Sequence, residues 1–152
     1  MGERIRPSVA VLLFLVGERG VYLQERQNTG YLDGLYEAIA GKVDRKESLQ
    51  QAALREASEE AGVHVEEEDL QLFHVYLNNS NPDHPWLGLM YRTMVWQGEP
   101  TIMEPLKCSA AGWFPIDRLP ENLAPHVRDG LKRLGCTAIE DAYYEPDDIQ
   151  PI

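Results

Sequence analysis

The stretch Ser48–Ala61 limits what this chain can fold into more than any other. Ser48, with Gln51 three residues later, makes a capping box, and Gly62 stands where a helix-ending glycine belongs. The apolar side between these caps is mostly alanine: Ala52, Ala53, Ala57 and Ala61 beside Leu49 and Leu54. Side chains that small let a helix axis lie close to the sheet it covers. The spacing therefore predicts a capped helix pressed against a sheet.

The same helix carries Glu56, Glu59 and Glu60 at i, i+3 and i+4. At about 100° per residue they fall within roughly a 100° arc, one above another. Their repulsion costs a few tenths of a kcal/mol per pair. A solvated acidic face is one account, with Arg55 and Glu59 as a surface pair worth about 0.3–0.5 kcal/mol. Bound cations are the other. Carboxylate oxygens with no histidine or cysteine nearby select Mg²⁺ or Mn²⁺ over zinc. Such ions reverse the local field, admit a polyphosphate, and lower the pKa of an attacking water.

Charge bears on that choice. The 152 residues carry a net charge of -11, which repels nucleic-acid backbones and makes sequence-independent binding to them a poor expectation. A phosphorylated small molecule is repelled equally unless cations intervene. Cys108 and Cys136 lack CxxC spacing and are expected to be two small buried thiols in a reducing cytosol. The apolar run Val9–Val16 is too short to span a bilayer and leads into Gly17-Glu18-Arg19-Gly20 rather than a cleavage site. A buried strand, a cytoplasmic protein and no membrane partner are the expectations.

Strands are expected at Pro7–Val16 and Gly20–Arg26 across a glycine-bounded turn, then at Leu70–Leu77, Leu87–Trp96 and Ala110–Phe114. Tyr31–Lys42 is mixed, and Asn78–Pro85 is a loop of turn formers. A second helix is expected from Pro125, ending before Gly135, with Val127, Leu131 and Leu134 on one side. This order predicts an α/β (α+β) domain over residues 1–136, a mixed sheet sandwiched between helices. The acidic tail 137–152 is expected to be loosely ordered or to serve an interface. A homodimer is compatible with the sequence, which does not determine oligomeric state.

The residues Gly41-Lys-Val-Asp-Arg-Lys-Glu47, seven further residues, and Arg55-Glu56-Ala57-Ser58-Glu59-Glu60-Ala61-Gly62-Val63 decide between the two accounts of the helix. They resemble the Nudix box, G-x5-E-x7-R-E-U-x-E-E-x-G-U with U aliphatic, at every fixed position. Chance would produce the match about once in a hundred thousand for this composition. The flanking order of elements also resembles that family's helix-covered mixed sheet.

The resemblance implies roles residue by residue. Glu56, Glu59 and Glu60 would be metal ligands, Glu60 the principal one and Glu56 a ligand or base. Arg55 would hold a glutamate by an ion pair. Glu47 would fix the loop–helix geometry or reach a second metal through water. The carbonyl of Ala40 matches a position that often completes the metal shell, although the family usually has glycine there. Trp96-Gln-Gly-Glu-Pro-Thr-Ile-Met-Glu104 resembles the stretch of MutT-type members in which a loop glutamate points to the metals, so Glu104 is a candidate ligand or general base. Arg26 and Lys42 are candidate phosphate contacts; Tyr31, Trp86 and Tyr91 are candidates to stack on a base.

The implied reaction is Mg²⁺-dependent, with Mn²⁺ able to substitute. Water attacks phosphorus in a nucleoside diphosphate linked to X and releases a nucleoside monophosphate. MutT-type members that clear oxidised guanine nucleotides read the base with an asparagine near the last helix. Leu123 or Ala124 aligns there, and Asn122 substitutes if the loop shifts by one. A nucleoside triphosphate is the leading substrate, with dinucleoside polyphosphates, ADP-ribose and nucleotide sugars open. Two other classes stay open: a nucleotide-binding regulator on the same fold, and a prenyl diphosphate isomerase. The second would need a catalytic cysteine and clustered histidines, which Cys108 and the scattered histidines do not supply.

Overall fold

Strand β1 (Ser8–Gly17) runs through the middle of the molecule, and its residues Val11–Leu15 are each at most 1% exposed. A strand covered on both faces needs an unbroken apolar run rather than alternation, and Val9–Val16 supplies one. Val11, Leu13 and Leu15 face helix α1 (Leu49–Ala61), packing with its Ala52, Ala53, Ala57 and Ala61. Leu12 and Phe14 point the other way, into a cluster with Val127 and Leu131 of helix α2 (Pro125–Leu131). Two apolar cores thus lie on opposite sides of one strand. The computed structural model describes residues 2–136, 138–146 and 148.

Beside β1 lie β4 (Ile39–Lys42), antiparallel, and β6 (Trp86–Thr93), parallel. Next come β5 (Gln71–Asn78), antiparallel to β6, and β8 (Glu140–Tyr144), parallel to β5. The far end of β1 turns through a hairpin into β2 (Gly20–Arg26), which carries β3 (Tyr36–Glu37) and β7 (Cys108–Phe114) as antiparallel partners. The mixed sheet between helices is as the sequence predicts. Helix α1 is held at both ends as its caps require. The Ser48 hydroxyl accepts from Gln51 N at 3.0 Å, and Gly62 takes φ 67°, the left-handed region open to glycine.

Several expectations need correction. Strand β6 stops at Thr93, not Trp96, because the Thr93 hydroxyl accepts from Val95 N and turns the chain out of the ladder. Trp96 then stacks on Trp113, with centroids 5.6 Å apart. Helix α2 ends at Leu131, and Lys132–Gly135 continue only as turns closed by bonds such as Arg133 N to Gly130 O. Within the tail, Glu140–Tyr144 is no loose segment. It adds strand β8 to the sheet edge, anchored by the Tyr144 hydroxyl donating to Asp129 at 2.7 Å. Residues 137, 147 and 149–152 of that tail lie outside the described residues. Cys108 is buried as expected, but Cys136 is exposed, and neither is in a disulfide.

Candidate active site

Helix α1 and strand β4 pack so that residues twenty apart in sequence meet. The backbone amide of Ala40 donates to Glu60 Oε2 at 3.1 Å, and Gln24 of β2 donates to the Glu60 carbonyl at the same distance. Glu60 lies within a cleft of about 810 Å³, which Glu56, Glu59, Ala40 and Glu104 also line. Burial first, then the charges of Glu56 and Glu104, pushes the Glu60 carboxyl up to about 8. Burial likewise raises Glu56, against the pull of Arg55.

Arg55 is the clamp of this arrangement. Its guanidinium donates to Glu47 at 2.7 and 3.1 Å, to Glu56 at 2.7 Å and to Glu59 at 3.2 Å. A fifth bond goes to the Lys42 carbonyl at 2.9 Å. A planar fork of five N–H donors suits that task; a lysine ammonium does not. Glu47 in turn accepts from Asp44 N at 2.6 Å, which fixes the loop before the helix, and Arg55 with that amide holds its carboxyl low. Glu47 itself does not line the cleft.

Gly41 completes the packing. A Cβ there would stand 1.9 Å from Glu56 Oε1 and 2.2 Å from its Cδ. The Glu56 carboxylate uses the space a side chain at this position would fill, so any larger residue would have to move it.

Among the described residues, no three His, Cys, Asp or Glu side chains stand close enough together to grip an ion as they are. The hydrogen bonds explain this: Glu56 turns toward Arg55, and Glu60 toward the Ala40 amide. The donor set still fits a hard divalent cation. It is all oxygen, shares one cleft, and includes a buried carboxyl whose proton relieves the repulsion that a cation would relieve instead.

The remaining predicted residues divide. Glu104 joins the box carboxylates in the cleft, on a turn closed by Lys107 N and Cys108 N donating to its carbonyl. Arg26, Lys42, Tyr31 and Trp86 also line the cleft. Arg26 is committed to its own loop, donating to the Tyr31 carbonyl at 2.7 Å and to Thr29 at 3.0 Å. The Lys42 ammonium sits 5.1 Å from the Trp86 ring centroid. Tyr91 is a core residue. Asn122 is not brought to the cleft; it donates to the Gly34 carbonyl at 2.9 Å and ties two loops together. Sequence reasoning missed Gln24, Glu37, Asn78 and His126, all buried and all lining the cleft. None belongs to a motif. Only an isolated polar residue within a strand run could have flagged Gln24 or Glu37.

A mixed sheet between helices, with a capped acidic helix opening on one cleft, is the architecture of a Nudix-class hydrolase domain. A family model described as NUDIX domain matches residues 4–134, and the chain belongs to that family. Among solved structures, the MutT NUDIX hydrolase of Burkholderia pseudomallei superposes with TM-score 0.78 at 28% identity, covering 85% of this chain and 98% of that one. The MutT protein of Bacillus halodurans gives TM-score 0.72 at 19% identity over 93% of each chain, a likeness of fold. Among curated relatives, the NAD-capped RNA hydrolase NudC of Chromobacterium violaceum is 30% identical over 141 residues, 92% of this chain and 51% of that protein. The NudC of Citrobacter koseri is 29% identical over 122 residues, 78% of this chain and 44% of that protein. The chain thus spans about half the length of the curated relatives it matches. No helix among the described residues is long and apolar enough to cross a membrane.

Proposed function

We propose that this chain hydrolyses a phosphoric anhydride in a nucleoside diphosphate linked to X, with a nucleoside triphosphate yielding monophosphate and pyrophosphate as the leading case. The observation that carries the reading is the shared cleft of Glu56, Glu59, Glu60 and Glu104, with Glu60 buried against the Ala40 amide. Glu56, Glu59, Glu60 and the Ala40 carbonyl would hold Mg²⁺ or Mn²⁺, with Glu47 behind them. The bound cation supplies charge neutralisation at the phosphate oxygens and acidifies the attacking water.

The chain's own groups do the rest. Arg55 holds Glu56 against its carboxylate neighbours. Glu104, at the same cleft and outside the Arg55 clamp, accepts the water's proton as the new P–O bond forms and the bridging P–O bond breaks; Glu56 is the other candidate base. Lys42, at the cleft wall, meets the phosphate chain, and Tyr31 and Trp86 offer aromatic faces for a base. The name of the curated relatives widens the substrate set to dinucleotide caps, including caps on RNA, which the expectation of no nucleic-acid partner left out. ADP-ribose, dinucleoside polyphosphates and nucleotide sugars belong to the same set.

A mixed panel of these nucleotides, assayed for phosphate and pyrophosphate release with and without Mg²⁺, tests the reading. Magnesium-dependent cleavage of one class supports it. Nucleotide binding with no cleavage of any member would point instead to a binding protein that keeps the box.

A further inference from the structure

Beyond residue 134, where the family match ends, the chain adds strand β8 to the edge of β5. The last residue of that strand, Tyr144, is buried and held by three contacts. Its hydroxyl donates to Asp129 of α2 at 2.7 Å, and its carbonyl accepts from Asn79 N at 2.8 Å. Its ring meets that of Tyr76 edge-on, with centroids 6.1 Å apart. Asn78 stands beside it in the register. Tyr76 and Asn78 are both buried, both line the cleft, and have no part in the hydrolytic reading.

The sheet shows how Tyr76 reaches the cleft. One row across it runs Lys42, Ala10, Gly88, Tyr76 and Ala142. A Cβ added at Gly88 would stand 2.1 Å from both Cε1 and Cζ of Tyr76. The ring thus lies across β6, over the one residue of the row that has no side chain. Glycine makes room for the ring without gripping it, so its position depends on the groups packed around it. Those are the ring of His126, with centroids 5.1 Å apart, and the ring of Tyr144. Asn78 is tied in a similar way. Its side-chain oxygen accepts from Ser80 N at 2.9 Å, and its Nδ2 lies 3.5 Å from the Tyr31 hydroxyl. The next amide along, that of Asn79, is the one bonded to Tyr144.

We propose that Tyr144 is a positioning residue for the nucleotide: through Tyr76 and Asn78 it holds the wall of the cleft remote from the box carboxylates. The inference rests on the nucleotide-hydrolase reading above. Strand β5 is three strands from β4, across β1 and β6, which is roughly 14 Å at about 4.8 Å per strand. Groups that far from the Ala40 carbonyl act on the bound nucleotide and not on a cation. Tyr144 does not line the cleft itself, so its effect passes through the residues it packs on. A latch for the fold alone would, when lost, lower stability and every kinetic constant together. A residue acting through the wall changes the fraction of molecules ready to bind, and hence the apparent affinity.

The test is steady-state cleavage of the best panel nucleotide by the full chain, with magnesium half-saturation and Tm recorded beside it. Tyr144→Ala should raise KM about tenfold, as follows when the ordered wall is populated about a tenth of the time. Its kcat and magnesium half-saturation should stay within about twofold of wild type, the pattern of lost ground-state binding. Tyr144→Phe keeps the ring and should bring KM back to within about twofold. If Tyr144→Ala does not fold, Tyr144→Leu takes its place, with KM at least about threefold above wild type, the scale of one aromatic edge contact. Unchanged KM in the folded variant overturns the inference. So does a parallel loss in kcat, KM and magnesium response, which would mark Tyr144 as a latch for the fold. Either result leaves the hydrolase reading intact, whereas a wild-type chain that cleaves no panel member removes the two together.

Discussion

The amide of Ala40 donates a 3.1 Å hydrogen bond to the carboxylate of Glu60, joining strand β4 to the buried acid of helix α1. The residue before the box glycine and the last glutamate of the box are thereby held in one position. Four buried alanines on the sheet-facing side of α1, flanking Glu60, let the helix come that close to the sheet. Packing, capping and chemistry meet in this contact.

Arg55→Lys should keep the charge and lose the function of the clamp. A lysine cannot hold Glu47, Glu56, Glu59 and the Lys42 carbonyl together as the guanidinium does. Side chains that orient metal-binding groups typically contribute about 10–100-fold in metal affinity or activity. Turnover and magnesium half-saturation measured on the variant should both shift within that range. Wild-type values in both would show that the clamp is decorative.

Gly41→Ala should displace Glu56, since the added Cβ would lie 1.9 Å from its Oε1. Overpacking of this kind costs about 1–3 kcal/mol. Chemical denaturation should report that loss, and activity should fall at least about tenfold because Arg55 and Gly41 then compete for the position of one carboxylate. A variant as stable and as active as the wild type would mean that Glu56 relaxes freely.

Acid should destabilise the fold through His74. Its ring is buried, Nδ1 lies 2.8 Å from the Glu140 carbonyl, and Nε2 has no partner. Burial, aided by the charge of Arg133, lowers its pKa from the ordinary value. The unfolded chain, with its histidine near 6.5, therefore binds the proton first. Stability from this group is fully present above about pH 6.5 and is lost as pH falls through that value toward the lower folded pKa. The drop in Tm between pH 7.5 and pH 5.5 should be smaller in His74→Gln than in the wild type. Equal drops would assign the acid sensitivity elsewhere.

Helix α1, both of its caps and the box carboxylates were legible because each rests on spacing along a single helix, where three or four residues make one turn. β1 was legible as a buried strand because it is apolar without interruption. Less was legible where contacts span the chain. Glu37 and His126 are 89 residues apart and meet only through the docking of α2 on β3. Asn122, which the resemblance makes a base contact only if its loop shifts by one, donates its amide to the Gly34 carbonyl, a contact across 88 residues that spacing does not show. Strand β8 lacks strong periodicity and forms because β5 offers an open edge to pair with. The exit of β6 at Thr93 depended on one hydroxyl turning back on the backbone.

The central claim is that the carboxylates around Glu60 make a cation-dependent hydrolytic site. Its most direct test compares wild type and Glu60→Gln in magnesium-dependent cleavage of the best panel nucleotide, with thermal melting recorded alongside. The amide is nearly isosteric, and its oxygen can still accept from Ala40. The account predicts a loss of at least about a hundredfold in turnover, with Tm unchanged or higher because a buried carboxyl is gone. Undiminished cleavage by a folded Glu60→Gln variant would contradict it.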